Sequence, residues 1–260
     1  MAHNRRSAER WHEILGAVEK AGLVNVDDLA RVLNVSEATV RRDLSRMDHE
    51  GLIRRIHGGA VARDRGSTEL PLIERSTLRR EAKRAIGQAA ASLVNPGETV
   101  FIGSGTTALA VAEALVERTE LKDATIISNS LPVIVTAARA PHLGVIVVGG
   151  FLRREEQSLI GFLAEQTFRE LRADKVFMGV GAIHLEHGLT NRHVVEMHTD
   201  RSVMELAPAL IIVADHTKFG TVATARLGSL AKVSTIVTDS GLPEAEAARY
   251  EALGIRVLRA

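Results

Sequence analysis

The sequence predicts an α/β protein in two parts. The first is a small N-terminal winged helix-turn-helix module, and the second a larger domain built on a doubly covered, largely parallel sheet. Three observations carry this expectation. Short amphipathic helices and a glycine-turned hairpin pattern fit within residues 1–62. Residues 63–77, with Asp64-Arg65-Gly66-Ser67-Thr68 and Pro71, sustain no periodicity and read as a linker. Across 78–260, short apolar strands alternate with amphipathic helices, as in a sheet buried on both faces.

The first helix is expected over Ser7 to Ala21, with Trp11, Ile14, Leu15 and Val18 on one face and Gly22 as its stop. A second runs from Val26 to Leu33, with Leu29, Ala30 and Leu33 inward, and Asn34-Val35 forms a tight turn. The third opens at Ser36, whose hydroxyl can accept a bond from an orphan amide of the first turn. Val40, Leu44 and Met47 recur at i, i+4 and i+7, a packing stripe, while Thr39, Arg42 and Arg46 fall on another face. Arg41 lies beside that face, and Gly51 ends the run. Such a helix suits a major groove. Leu52 to Val61 then places Arg54, Arg55 and His57 between apolar residues, with Gly58-Gly59 as a hairpin turn, the pattern of a wing.

Composition narrows the partner. The 260 residues are 45% hydrophobic and 25% charged, enough for a sizeable core. A net charge of +1 leaves nucleic acid open, because basic surface can be confined to one patch. Aromatic content is 3%, so there is little on which to stack single-stranded bases, and duplex DNA is favoured. Without cysteine there is no disulfide framework, thiolate nucleophile or Cys-ligated zinc, and a cytoplasmic setting is expected. Residues 1–10 lack a signal-peptide core, and no apolar run approaches ~18 residues, so no membrane span is expected.

In the second part, helix period resumes over Leu78 to Leu93, through Ala82, Ile86, Ala89, Ala90 and Leu93, and Asn95-Pro96-Gly97 breaks it. Strands are expected at 99–102, 124–128, 145–148, 175–180, 210–214, 234–238 and 255–258. The helices between them cover 108–116, 131–140, 161–171, 193–206 and 243–253. Gly103-Ser104-Gly105-Thr106-Thr107 joins a strand to a helix, where free amides and the helix dipole favour an anion. The same loop fits the dinucleotide fingerprint G-x-G-x-x-A. The acid that fingerprint needs at the next strand end is missing, because that strand ends in Ser128-Asn129-Ser130. Gly149-Gly150, Gly179-Val180-Gly181-Ala182 and the segment from Asp215 to Lys218 close further strands, and a shared rim is where ligand groups converge.

Val35-Ser36-x-x-Thr39-Val40-Arg41-Arg42-Asp43-Leu44, followed by Gly51-Leu52-Ile53-Arg54-Arg55-x-His57-Gly58-Gly59-Ala60, strongly resembles the DeoR family of bacterial transcriptional regulators. Gly103-x-Gly105-Thr106-Thr107, Ser128-Asn129-Ser130, Gly149-Gly150, Gly188-Leu189-Thr190 and Ala214-Asp215-x-x-Lys218-Phe219-Gly220 extend the resemblance over nearly the whole chain. It implies a repressor of a carbohydrate-utilisation operon, a homodimer or higher homo-oligomer on duplex DNA, with a sensor domain similar to sugar-phosphate isomerases and coenzyme A transferases. DNA contacts are then expected from Ser36, Ala38, Thr39, Arg41, Arg42, Arg46, Arg54, Arg55 and His57. A phosphorylated sugar would be held by Gly103, Ser104, Gly105, Thr106, Thr107 and Lys218, with Asn129 and Asp215 facing the sugar. Ser128, Ser130, Gly150 and Gly181 complete the expected effector site. Glu196 and Asp200, four apart on one helix face, reach the same cleft or form a solvated edge.

The rival from another class is an isomerase-like enzyme fused to a DNA-binding module. Isomerases of that fold carry an Asp-Gly-Ala-Asp-type motif where this chain reads Gly179-Val180-Gly181-Ala182-Ile183, so proton-moving carboxylates are missing there. There is no G-x-S-x-G elbow and no H-E-x-x-H, and His184, His187, His193 and His198 read as loop or surface residues. No catalytic residue, metal or cofactor is expected.

Overall fold

A computed structural model of the chain describes residues 10–18, 23–49, 52–56, 58–62 and 72–260. It divides into two compact units between residues 69 and 70. The first unit holds helix α1 (10–18), strand β1 (Leu23–Asn25), helices α2 (Val26–Val32) and α3 (Glu37–His49), and strands β2 (Ile53–Ile56) and β3 (Gly59–Ala62). Its core gathers Ile14, Val18, Leu29, Val40, Leu44, Met47 and Ile53. Asn34 makes the α2–α3 turn in the left-handed region at φ 51°, a conformation asparagine tolerates better than most residues.

Two details differ from the sequence reading. Three residues are too few to show a period, so β1 was not expected, yet it pairs antiparallel with β3 and gives a sheet ordered β1-β3-β2. The hairpin turn also sits one residue earlier. Gly58 carries the positive φ of 82°, whereas Gly59 already pairs with Ile56 inside β3. Gly59 is required for contact rather than for turning: a Cβ there would stand 2.1 Å from the Val24 carbonyl oxygen.

The second unit opens with helix α4 (Leu72–Thr77), a correction to the linker expected over 63–77. One and a half turns are too short for helical periodicity to show, and Leu72 is buried. Helix α5 (Arg80–Ala91) and strand β4 (Thr99–Ile102) follow. Then come α6 (Thr106–Glu117), β5 (Thr125–Ser128), α7 (Leu131–Ala137) and β6 (Gly144–Val147). A hairpin of β7 (Phe151–Arg153) and β8 (Ser158–Ile160) precedes α8 (Phe162–Glu170) and β9 (Lys175–Met178). Strands β10 (Ala182–His184) and β11 (Gly188–Asn191) lead through a 3-10 turn at Val194–Glu196 to α9 (Met197–Val203). The chain ends with β12 (Ala209–Val213), β13 (Ala225–Gly228), β14 (Val233–Thr238), α10 (Glu244–Glu251) and β15 (Arg256–Arg259).

Seven strands form one parallel sheet, ordered β15-β14-β12-β9-β4-β5-β6. Strand alternation divides its side chains between two cores. Val100, Ile102, Ile126, Ile211 and Val213 face α5, α6 and α7. Phe101, Ile127, Val176, Leu210 and Ile212 face the opposite way, toward Phe168 of α8, Val203 of α9 and Tyr250 of α10. The sheet is therefore covered on both sides. The β7–β8 hairpin and the antiparallel set β10-β11-β13 were not foreseen, because strands of three or four residues with charged turns leave no pattern to read. No helix among the described residues is long and apolar enough to cross a membrane.

Candidate functional site

In the first unit the exposed surface of α3 is set by how its other side is held. The Ser36 hydroxyl accepts from the Thr39 amide at 3.3 Å and lies 2.9 Å from the Thr39 hydroxyl, capping the helix. Val40, Leu44 and Met47 are wholly buried. Asp43, also buried, accepts from Arg10 Nε at 2.6 Å and so ties α1 to α3. What remains outside is Ala38, Arg41, Arg42, Ser45 and Arg46, with Thr39 half-buried at the edge. The face expected to read bases is thus the solvent face. Arg41 pairs with Glu37 at 2.9 Å, and Arg55 reaches from β2 to the Ser45 hydroxyl at 3.4 Å. An exposed pair of this kind contributes about 0.3–0.5 kcal/mol, little enough for a phosphate to replace it. Arg54 occupies β2, and His57 lies outside the described residues.

In the second unit the strand carboxyl ends build a cleft around the 103–107 loop. Gly105 stands before α6 with φ 101°, a conformation open to glycine, and leaves the first amides of α6 facing outward. Ser104, Thr106 and Thr107 are half-buried beside them. Cations converge on this point. Lys83 of α5 is buried, and its Nζ donates to the Arg75 carbonyl at 2.6 Å. Burial pushes its pKa down to about 8; the Asp215 carboxylate opposes that shift, and Arg75, Lys218 and Arg79 add to it. Burial also lowers the pKa of Lys218, against Asp215 and with Arg192, Arg75 and Arg79 nearby. Arg75, Arg79, Lys83, Arg192 and Lys218 thus share one electrostatic field with Asp215 and Glu156, an excess of positive charge that suits an anion.

The far side of the cleft is polar. Asn129 is buried; its Nδ2 donates to the Leu159 carbonyl at 2.9 Å, and its Oδ1 has no hydrogen-bond partner. An orphaned buried acceptor is rare and calls for a donor from a ligand. Asn191 accepts from the Gly181 amide at 2.7 Å and donates to Asp200 Oδ2 at 2.7 Å. The Asp200 carboxyl, desolvated and beside Glu196, is pushed up to about 7. Glu196 is buried against Arg153 Nη1 at 2.7 Å and accepts from Ser158 Oγ at 3.2 Å, so it is not a solvated edge. Asp215 accepts from the Thr217 amide at 3.1 Å and from the Thr217 hydroxyl.

Several expected residues serve the scaffold instead. Ser128 is fully buried and donates to the Ile102 carbonyl at 2.7 Å, fastening β5 to β4. Ser130 is buried opposite Ser158 in an isolated bridge. Gly150 is pressed on β8, where a Cβ would stand 2.8 Å from the Ile160 carbonyl oxygen. The Gly181 amide is taken by Asn191. Conversely, Arg75, Arg79, Lys83, Glu156, Asn191 and Arg192 were not anticipated. Lys83 left a readable signal, since it precedes Ile86, Gly87 and Ala90 at i+3, i+4 and i+7 on the buried stripe of α5. Glu156 left none. It reaches the loop only through the unforeseen hairpin, its Oε1 lying 3.4 Å from where a Gly105 Cβ would be.

Both units have counterparts among known proteins. Residues 10–65 match the model of a DeoR-like helix-turn-helix domain, and residues 78–240 that of the DeoR C terminal sensor domain. The chain is 35% identical over 249 residues to the HTH-type transcriptional repressor CsqR of Escherichia coli K12, covering 96% of this chain and 94% of that one. It is 32% identical over 238 residues to the glycerol-3-phosphate regulon repressor of the same strain, covering 92% and 93%. Among solved structures, ribose 5-phosphate isomerase from Plasmodium falciparum matches with a TM-score of 0.39 and 19% identity, over 54% of this chain and 52% of that one.

Proposed function

The chain belongs to the DeoR family of transcriptional regulators, and from that premise we propose that it is a repressor of a carbohydrate operon whose grip on duplex DNA is set by a phosphorylated sugar. Arg42, Arg46 and Thr39 read base edges from α3, while Arg41, Arg54 and Arg55 hold phosphates. The single observation that carries the effector half is the placement of Arg75 beside the helix-start loop at 103–107, where it pairs with the Glu156 carboxylate that lies against Gly105 while its carbonyl receives Lys83 Nζ. Phosphate charge and those cations match, and the unpartnered Asn129 Oδ1 accepts from a sugar hydroxyl. The relative that represses a glycerol-3-phosphate regulon is named for a small phosphorylated polyol, which supports the same class of ligand here.

The ligand is bound and not turned over. A general base must lie within hydrogen-bond reach of its proton and be free to take it. Around this cleft, Glu156 is held by Arg75, Glu196 by Arg153, Asp215 by Thr217 and Asp200 by Asn191. Each of these carboxylates has a partner within the protein, and relatives named as repressors support binding without turnover.

The working unit is a pair of chains in the cytoplasm, joined through the second unit. Its two sheet edges differ. β15 carries exposed Arg256 and Arg259, charges that discourage strand pairing, whereas Gly144 to Val147 of β6 has none. Around that uncharged edge Val135, Val147, Phe151, Phe162 and Leu163 are each more than half exposed. A second copy is the fitting occupant. Helix-turn-helix proteins bind paired half-sites as symmetric dimers, and an uncharged patch can meet itself across a twofold axis.

Thr106→Ala combined with Lys218→Ala tests the effector site. In a thermal-shift screen of phosphorylated sugars, the wild type should gain stability by mass action and the double variant should not. A double variant that responds like the wild type places the phosphate elsewhere.

A further inference from the structure

Helix α4, which the sequence assigns to the linker, is tied by three contacts to the elements around the 103–107 loop. Its first amide, at Leu72, donates to the Glu155 carbonyl at 3.1 Å. Arg75 pairs with Glu156 of the β7–β8 hairpin, and the Arg75 carbonyl receives Lys83 Nζ. Each of these anchors borders the anion position. The Glu156 carboxylate is buried against Gly105, and Lys83 and Arg75 share the field of Lys218 and Asp215. A dianion arriving at the 103–107 loop therefore meets, against Gly105, a repulsive group, Glu156, already bound to an attractive one, Arg75.

We propose that the phosphate of the effector takes Arg75 from Glu156, so that ligand binding re-anchors α4, the first helix after the 63–71 segment joining the two units. This rests on the phosphosugar reading above and names how that site passes on its state. The physical step is an exchange of partners. A guanidinium leaves a carboxylate for a doubly charged oxyanion, which is the stronger acceptor, and the carboxylate withdraws from the phosphate field. Lys83 reinforces the exchange, because its bond to the Arg75 carbonyl competes with its own attraction to the ligand. Coupling needs such a differential contact, since a ligand that binds two arrangements equally shifts neither.

Hydrogen–deuterium exchange on the full chain tests this, with inorganic phosphate as the probe and chloride at matched ionic strength as the control. Phosphate should protect amides 105–109 and, with the same midpoint, change exchange across 72–79. Glu156→Gln keeps the shape and removes the competing charge, so its phosphate midpoint should fall at least about fivefold, the lower end of typical coupling. Arg75→Ala should still protect 105–109, with a weaker midpoint, while the response at 72–79 disappears; Arg75→Lys should restore part of it. Should 105–109 respond while 72–79 stays unchanged and Glu156→Gln binds phosphate as the wild type does, the exchange is wrong and the phosphate site stands. Absence of protection at 105–109 at any phosphate concentration overturns both.

Discussion

The proposed reading face of α3 and the proposed effector cleft are built in opposite ways. The first is one uninterrupted stretch, Ser36 to Arg46, whose basic residues stand on the outside of a short helix and whose inside is packing plus the buried Asp43–Arg10 pair. The second is assembled from α4, α5, the 103–107 loop, the β7–β8 hairpin, β11 and the 215–218 turn, with most of its charges buried or half-buried. A surface that reads DNA must be accessible, so its charges are cheap to expose and sequential in the chain. A pocket that holds a small dianion must desolvate it, which takes groups from many segments and balances them against one another.

The largest expected effect separates operator affinity from DNA contact. Phe151 is 76% exposed at the β6 edge, in the unit that carries no DNA-reading residue. Phe151→Asp, with Leu163→Asp as an independent variant, should halve the mass seen by light scattering. Affinity for a duplex site selected from a random pool should drop about 100- to 10,000-fold, the usual advantage of two linked contacts over one. A variant that remains a dimer, or a monomer with undiminished affinity, breaks the proposed division of labour between the two regions.

Arg42→Ala comes next and acts on the α3 face alone. Truncating a bidentate arginine removes about 1–3 kcal/mol of discrimination at one base position. Gel shifts on single-base variants of the selected site should show preference flattened at that position, with the thermal response to phosphorylated sugars intact. If every position is discriminated as before, Arg42 is a phosphate contact and the reading face must be redrawn around Arg46.

The same contrast decides what could be read from the sequence. The α3 stretch was legible because a local helix places its residues by periodicity alone: Ser36 caps it, and Val40, Leu44 and Met47 are wholly buried. The parallel sheet was legible for a similar reason, its strands having apolar centres of two or more residues set off by turns. The cleft was legible only where chemistry lies in a strand-end motif, as at 103–107, Asn129, Asp215 and Lys218. Ser128 and Ser130 carry the right groups at the right strand end, yet burial commits them to main chain and bridge. Arg75 and Glu156 meet across 81 residues, through a six-residue helix and a three-residue strand pair that have no period to detect. Long-range pairing on short elements leaves no local trace.

The smallest expected effect is confined to the cleft, where the Asp200 carboxyl is lifted toward neutrality. Asp200 moves from its ordinary 3.8 to about 7 because it is desolvated and faces Glu196, with Asn191 and Arg153 opposing the shift. Between those two values the native unit binds a proton that the unfolded chain has released. This contribution to stability is therefore complete below pH ~4, is lost as pH rises, and is gone above pH ~7. The side chain is largely buried and accepts from Asn191, so stability falls steadily as pH rises through the window. Other shifted groups act outside it. Glu98 and Asp239 are depressed and titrate below the ordinary carboxylate range, and Lys83, lowered to about 8, acts between there and the ordinary lysine range. Asp200→Asn should consequently gain on the wild type as calorimetry proceeds from pH 4 to 7, with the Glu196–Arg153 pair left in place. A difference between Asp200→Asn and the wild type that does not vary with pH would mean that Asp200 stays ionised throughout. The cleft would then carry one more full negative charge against its dianion.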